Sequence, residues 1–382
     1  MKKLALASMV AASAAMMAPA HAATVAANDG WEIGVGGLIN QFAVFTDDKN
    51  AATGDGAEIR DGLLPAFINF DIKAPTVNGL DMAAHISFSP GTNTDSYNAQ
   101  EQREVYFTVD GGFGQILMGR ALGLYGSHNI LTEQTIYGVG YGTNTGAEGP
   151  TTLGGIGLGY DYAAWRSQIR WTSPDMNGFK AAVAVVDAAG PGLLLSGKPT
   201  GPIVTGGEAG DDFRYEGDLS YAGSFDGGSF KTWVSGALQN RSADFGPEDA
   251  RYWTVGGTLT LGGFEFMAQY SDSEDTVVEN APLGVGDGTA EWNQYVVQAG
   301  YRFAGTTLVS VNYAELEDDS SNANLVARYG DSSDNKIERY TVGVYHDVNA
   351  NLKLVAEYTG VEDDVETGLD QDIFAIGGFF FF

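Results

Sequence analysis

Arg166, Gln168 and Arg170 share one parity of a short run, and Trp165, Ile169 and Trp171 take the other. In an extended chain this spacing puts two guanidinium groups on one face and bulky apolar groups on the opposite one. The chemistry offered is a fixed positive field rather than a bond-making device. Arg214 lies on a second polar face with Glu216, Asp218 and Ser220, opposite Phe213, Tyr215, Leu219 and Tyr221. Its neighbouring carboxylates are placed to pair with it. Beyond residue 22 histidine occurs only as His85, His128 and His346. His85 and Ser87 share a face, but two positions apart on a strand they read as polar lining, and a Ser-His-Asp device needs convergence in space. No paired His or Cys suggests zinc, and no Gly-rich phosphate cradle stands between a strand and a helix.

The charge balance narrows the partners. The chain has 20 basic and 49 acidic residues, formally −29, and loss of Lys2 and Lys3 with a leader takes this to −31. Nucleic acid is excluded on that ground, because phosphate binding needs a basic face. Carboxylates gather at Glu208–Asp212, Asp272–Asp275, Glu315–Asp319 and Glu362–Glu366. The plain reading is solvated connections kept apart by repulsion. Loop-bound Ca²⁺ or Mg²⁺ bridging to anionic lipid headgroups is the sharper one, since oxygen-only ligands suit those ions. No other cofactor is expected.

Strands must hold these charges. In 80–89, Leu80, Met82, Ala84, Ile86 and Phe88 oppose Asp81, His85, Ser87 and Ser89; in 264–271, Phe264, Phe266, Ala268 and Tyr270 oppose Glu265, Gln269 and Ser271. Period two fits a soluble sandwich as well as a barrel whose apolar face meets lipid. Connection lengths separate the two. Short turns fall near 74–79, 110–112, 174–178, 224–228, 262–263, 304–305 and 349–351. Long ones fall near 46–58, 90–100, 121–160, 188–211, 242–250, 272–290, 317–336 and 361–371. Their strict alternation predicts an all-β fold: a transmembrane antiparallel β-barrel of sixteen strands, with short periplasmic turns and long extracellular loops. Such a barrel encloses water. An arginine facing lipid at mid-bilayer costs about 2–4 kcal/mol, so Arg166 and Arg170 should face the lumen.

Residues 1–22 read as a signal peptide: Lys2 and Lys3, an apolar run from Leu4 to Met17, then Ala20-His21-Ala22. Residues 23–382 then form a single barrel domain, exported through the periplasm to the cell outer membrane. No apolar run is long enough for a membrane helix. Cysteine is absent, so closure must come from backbone pairing, and 53 Gly with 20 Phe, 18 Tyr and 6 Trp fit tight turns and aromatic girdles.

Residues 103–120, REVYFTVDGGFGQILMGR, resemble the hairpin before the constriction loop of the general diffusion porins of Gram-negative outer membranes. The shared elements are Arg103, Tyr106, the Gly111-Gly112-Phe113-Gly114 turn and Gly119-Arg120. Residues 168–179, QIRWTSPDMNGF, are similar to that family's next hairpin. At the end of the chain Phe374, Ile376, Phe380 and Phe382 share a face, with Gly377 between, and resemble the signal read by barrel-assembly machinery.

The resemblance implies that loop 121–160 folds into the lumen, with Glu133, Glu148 and Asp161 as its acidic contributors. It implies a basic wall of Arg60, Arg103, Arg166, Arg170 and Arg214, although Arg103 shares parity with Val105, Phe107 and Val109 and Arg60 lies near an external loop. Loop 121–160 departs from the family in its glycine content between Gly138 and Gly159, with no compact acidic signature. A homotrimer is also implied. The glycines at 34–37 and 377–378 either let barrels approach or ease closure between first and last strands.

The expected function is a water-filled channel for passive diffusion of small hydrophilic solutes and ions, set among outer-membrane lipid and lipopolysaccharide, with weak cation preference. The alternative is a substrate-specific channel for a sugar or other nutrient, lined by Tyr137, Tyr141 and Tyr160, which could equally pack the loop. A barrel hydrolase is the least favoured reading, so no catalytic residue is assigned.

Overall fold

The computed structural model describes residues 23–49, 55–93, 100–141, 151–187, 213–240, 249–278, 288–318, 335–363 and 370–382. Glu148 and the proposed leader lie outside them. Nineteen strands share one sheet. They are β1 (Ala23–Asn28), β2 (Trp31–Asp48), β3 (Gly56–Arg60), β4 (Phe67–Lys73), β5 (Asp81–Pro90), β6 (Gln100–Glu101), β7 (Val105–Gly111), β8 (Gly114–Leu122), β9 (Trp165–Thr172) and β10 (Phe179–Val186). The second half holds β11 (Arg214–Phe225), β12 (Gly228–Gln239), β13 (Ala250–Leu261), β14 (Phe264–Val278), β15 (Gly288–Phe303), β16 (Thr307–Asp318), β17 (Asn335–Asp347), β18 (Leu352–Asp363) and β19 (Gln371–Phe381).

Sixteen of these make the wall once broken strands are counted once. β3 and β4 both pair with β2, and β6 and β7 both pair with β5, so each couple is one interrupted strand. β1 is a short hairpin arm on β2. Every neighbouring pair is antiparallel, and β19 pairs with β2 from Gln371↔Asp48 to Phe381↔Leu38, closing the cylinder. Gly37 and Phe382 complete the seam by exchanging backbone hydrogen bonds of 2.9 and 3.1 Å. A side chain at Gly37 would run into the Phe67 carbonyl and the Phe382 ring, so this glycine serves closure, the second of its two readings. Closure pairs both sides of every strand of the described sixteen-strand wall, so the wall itself offers another chain no free edge.

The turns follow their sequence. Asn78-Gly79 and Asn177-Gly178 take positive φ at both residues, which Asn and Gly tolerate and tight hairpins require. One expectation needs correction. β14 continues to Val278 and β15 begins at Gly288, so the connection predicted at 272–290 is mostly strand. Above the membrane both strand faces meet water, and an acidic run therefore does not end the ladder; it only shifts register between Ser273 and Thr276.

Around the wall, Val234, Leu238, Val255, Phe266 and Val342 point outward and are exposed, while Ser235, Thr254, Gln269, Gln294 and Thr341 point inward and are buried. A sandwich would cover the apolar face with a second sheet. Among the described residues nothing does, and the apolar outside is the lipid belt. Val255, 45% exposed midway along β13, gives a direct test. Val255→Arg is expected to cost about 2–4 kcal/mol in bilayers, read as a lower folded fraction in vesicles by heat-dependent gel migration.

Candidate functional site

The described part of the segment between β8 and β9, residues 123–141 and 151–164, turns back into the barrel. Gly126, at φ 74, turns the chain into a short helix, α1 (Ser127–Thr132), and Glu133 then caps a single 3₁₀ turn over Gln134–Tyr137 by accepting from the Thr135 amide. From Leu124 to Asp161 the described part of this loop bonds to the inner faces of eight consecutive strands, β11 to β18. Glu216 on β11 accepts from the Leu124 and Tyr125 amides at 2.6 and 3.3 Å. Trp233 on β12 donates to Asn129 at 3.0 Å, and Asn129 donates to Thr254 on β13 at 2.9 Å. His128 sits between Asp218 at 3.1 Å and Lys231 at 2.9 Å.

Three carboxylates carry the middle and the return. Glu133 is 0% exposed; it accepts from Thr135 and from Asn312 on β16, and lies 3.5 Å from Arg339 on β17, itself 0% exposed. Glu357 on β18 accepts from the Val139 and Gly140 amides at 2.6 and 3.1 Å and from the Tyr345 hydroxyl. Asp161 accepts from Tyr125, from Ser273 at 2.7 Å, from Trp292 at 3.0 Å and from Gln294 at 2.6 Å. Burial pushes the Asp161 carboxyl up, against the pull of those donors. Apolar packing fills the space between: Ile130, Ile136, Val139 and Leu158 of the loop join Trp233, Met267, Val296 and Val355 of the wall in one buried cluster. Gly138 has no room for a side chain beside the Glu357 carboxylate. The described residues form a shelf across the lumen, held by polar groups that would otherwise be buried without partners.

The family described as Gram-negative porin matches residues 5–366. The chain belongs to the Gram-negative porins. It is therefore an outer-membrane channel, and its fold is that of a pore. Among solved structures it is similar to the anion-selective porin from Comamonas acidovorans, with 14% identity, a TM-score of 0.64, and 92% of this chain and 100% of that one covered. It is also similar to the outer-membrane channel DcaP of Acinetobacter baumannii, with 13% identity, a TM-score of 0.67, and 94% and 100% covered. The trimer form of OmpT, an outer-membrane protein of Vibrio cholerae, gives 15% identity, a TM-score of 0.57, and 93% and 100% covered. No curated protein matches the sequence.

In this porin the arginines expected on the lumen wall all lie inside the barrel and are largely buried. Arg166 and Arg170 face inward from β9 at the root of the loop, where Arg170 donates to the Leu122 carbonyl at 3.4 Å. Arg214 pairs with Glu216 at 2.7 Å and stacks on Tyr252, so Glu216 but not Asp218 is its partner. Arg60 is not left in solvent: it donates to the Thr151 carbonyl of the loop at 3.0 Å and pairs with Glu58 at 3.1 Å.

Arg103 overturns its parity. From Ser89 to Ile86 β5 moves three positions, while its partner moves four, from Glu101 to Val105. The extra residue flips the faces. Val105 and Phe107 point to lipid, and Arg103 lies over the rings of Trp165 and buried Phe67, 4.4 and 5.8 Å from their centroids.

Glu133 and Asp161 lie in the loop as expected, but they fasten it to the wall and do not face open water. Tyr141 and Tyr160 are likewise buried in the loop's own packing, while half-buried Tyr137 packs edge-on against Phe379 and Phe381. His85 bonds Asp71 at 2.8 Å and stacks on Tyr106, while Ser87 is buried without a partner. Arg339 and Glu357 were missed. The parity rule that placed Arg166 would have found both, since Ile337, Arg339 and Thr341 oppose Tyr340 and Val342 on β17, and Val355, Glu357 and Thr359 oppose Leu354 and Tyr358 on β18.

Proposed function

We propose that this channel passes small hydrophilic solutes and ions by passive diffusion, with weak cation preference. The observation that carries the reading is the described part of the loop, fastened across the lumen by buried carboxylates and their donors, which narrows a wide polar pore. Charge inside is close to balance: Arg103, Arg166, Arg170, Arg214 and Arg339 are set against Glu104, Glu133, Asp161, Glu216 and Glu357. The excess of carboxylates then lies toward the mouths, where a net negative field concentrates cations. Purified protein in planar bilayers under a KCl gradient should give a small reversal potential of the sign for potassium. Chloride preference would overturn the selectivity, and vesicles that release no small sugar would overturn the diffusion pore.

Assembly follows the same reading. Residues 1–22 direct export through the periplasm. Phe374, Ile376 and Phe380, all exposed on the outer face of β19, present the terminal signal to barrel-assembly machinery. Barrels then associate as homotrimers, as the trimer form of one structural relative suggests, within lipid and lipopolysaccharide.

A further inference from the structure

The wall itself folds inward at one place. Between Phe42 and Leu38 β2 advances four positions, while its partner advances seven, from Arg60 to Phe67. The surplus leaves the sheet as the excursion 61–66, whose Leu63 and Leu64 join the buried cluster under the constriction loop.

Three successive functions fall on its first residues. Asp61, fully buried, is tied to the second external loop: its amide donates to Asn93 at 2.7 Å, and its carboxylate accepts from the Thr92 amide at 3.0 Å and from the Thr92 hydroxyl. Gly62 is tied to both sides, donating to Asn40 on β2 at 2.9 Å and accepting from the Thr152 amide of the constriction loop at 2.9 Å. Leu63 donates to the Gly138 carbonyl of the same loop at 2.9 Å. A side chain on Gly62 would strike that carbonyl, so the two segments are in direct backbone contact.

We propose that Asp61 is a positioning residue for the constriction, and that the excursion 61–66 couples the second external loop to the loop inside the barrel. Displacing Thr92 and Asn93 from outside pulls on Asp61, and through Gly62 and Leu63 on the tip held at Gly138 and Thr152. The inference rests on the loop being the constriction of a diffusion channel, and it adds a route by which an external contact alters that constriction.

The test uses the full-length protein in planar bilayers, with heat-dependent gel migration to establish a folded barrel. Wild type that forms no channel defeats the function itself. If wild type conducts, Asp61→Ala, which removes both hydrogen bonds from Thr92 to the carboxylate, should depart from the main conductance level at least about tenfold more often, the ratio expected from one charge-assisted bond alone. Asp61→Asn, which keeps an acceptor for the Thr92 amide, should stay near wild type. Equal behaviour of wild type and folded Asp61→Ala overturns the proposal. The chain has no cysteine, so Gly91→Cys gives a single external handle that decides the matter even if Asp61→Ala fails to fold. A bulky thiol reagent added outside should alter its conductance, and no change on modification overturns the coupling.

Discussion

Glu133→Ala should free the constriction loop and enlarge or destabilise the conducting state. The carboxylate and Arg339 are both fully buried, so the change strands a guanidinium whose other bond goes to the Gly154 carbonyl at 3.3 Å. Breaking one side of a buried pair costs about 3–5 kcal/mol. Asn312 and the Thr135 amide lose their acceptor as well. At about 1.4 kcal/mol per factor of ten, the seated loop loses a hundredfold or more of its advantage over displaced arrangements.

The barrel ladder does not depend on this pair, so heat-dependent migration should stay that of a folded barrel. Single-channel recordings should show larger and noisier conductance. The double change Glu133→Leu with Arg339→Met removes both charges, and replacing a buried pair with apolar groups of similar volume is often neutral. It should therefore recover much of the quiet state. A Glu133→Ala channel indistinguishable from wild type would mean that other anchors hold the loop alone.

What could be read from the chain divides by distance. Alternation and turn chemistry are local, so the strand count, the seven short turns and the facing of Arg166 and Arg170 were legible in runs of about ten residues. Arg103 was not, because a single extra residue between Glu101 and Val105 reverses parity and nothing in the composition marks it. The excursion 61–66 has the same character. Its sequence, Asp-Gly-Leu-Leu-Pro-Ala, reads as an end of a strand, whereas the strand resumes at Phe67 on the same partner.

The roles of the loop carboxylates were hidden for a different reason. Glu357 meets the Val139 amide across 218 residues of chain, and Asp161 meets Gln294 across 133. Knowing that a carboxylate lies in the loop does not tell which donors on eight strands will surround it. Family likeness implies the inward fold of the loop and its acidic contributors, but not what those carboxylates face. The geometry uses them as fasteners. Arg166 and Arg170, at the loop's root, are buried as well, at 6% and 9% exposed, and reach solutes only through their field.

Arg166 and Arg170 are the strongest test of that division. They stand two positions apart on the inner face of β9, on the part of the wall outside the loop's chain of anchors on β11 to β18. A buried unit charge about 8 Å from a passing ion is still worth about 0.5 kcal/mol at the dielectric of water. That corresponds to a factor of about two in local ion concentration for each arginine, and more where the loop excludes water. Arg166→Gln with Arg170→Gln should therefore move the reversal potential strongly toward cations in dilute salt. The shift should shrink as salt is raised and the Debye length falls toward about 3 Å at 1 M. Arg166→Lys with Arg170→Lys keeps the charge while losing the planar donors, so it should leave selectivity close to wild type even if conductance becomes noisier. Lysine and glutamine variants with the same reversal potential would place both arginines outside the ion path and leave selectivity to the mouths.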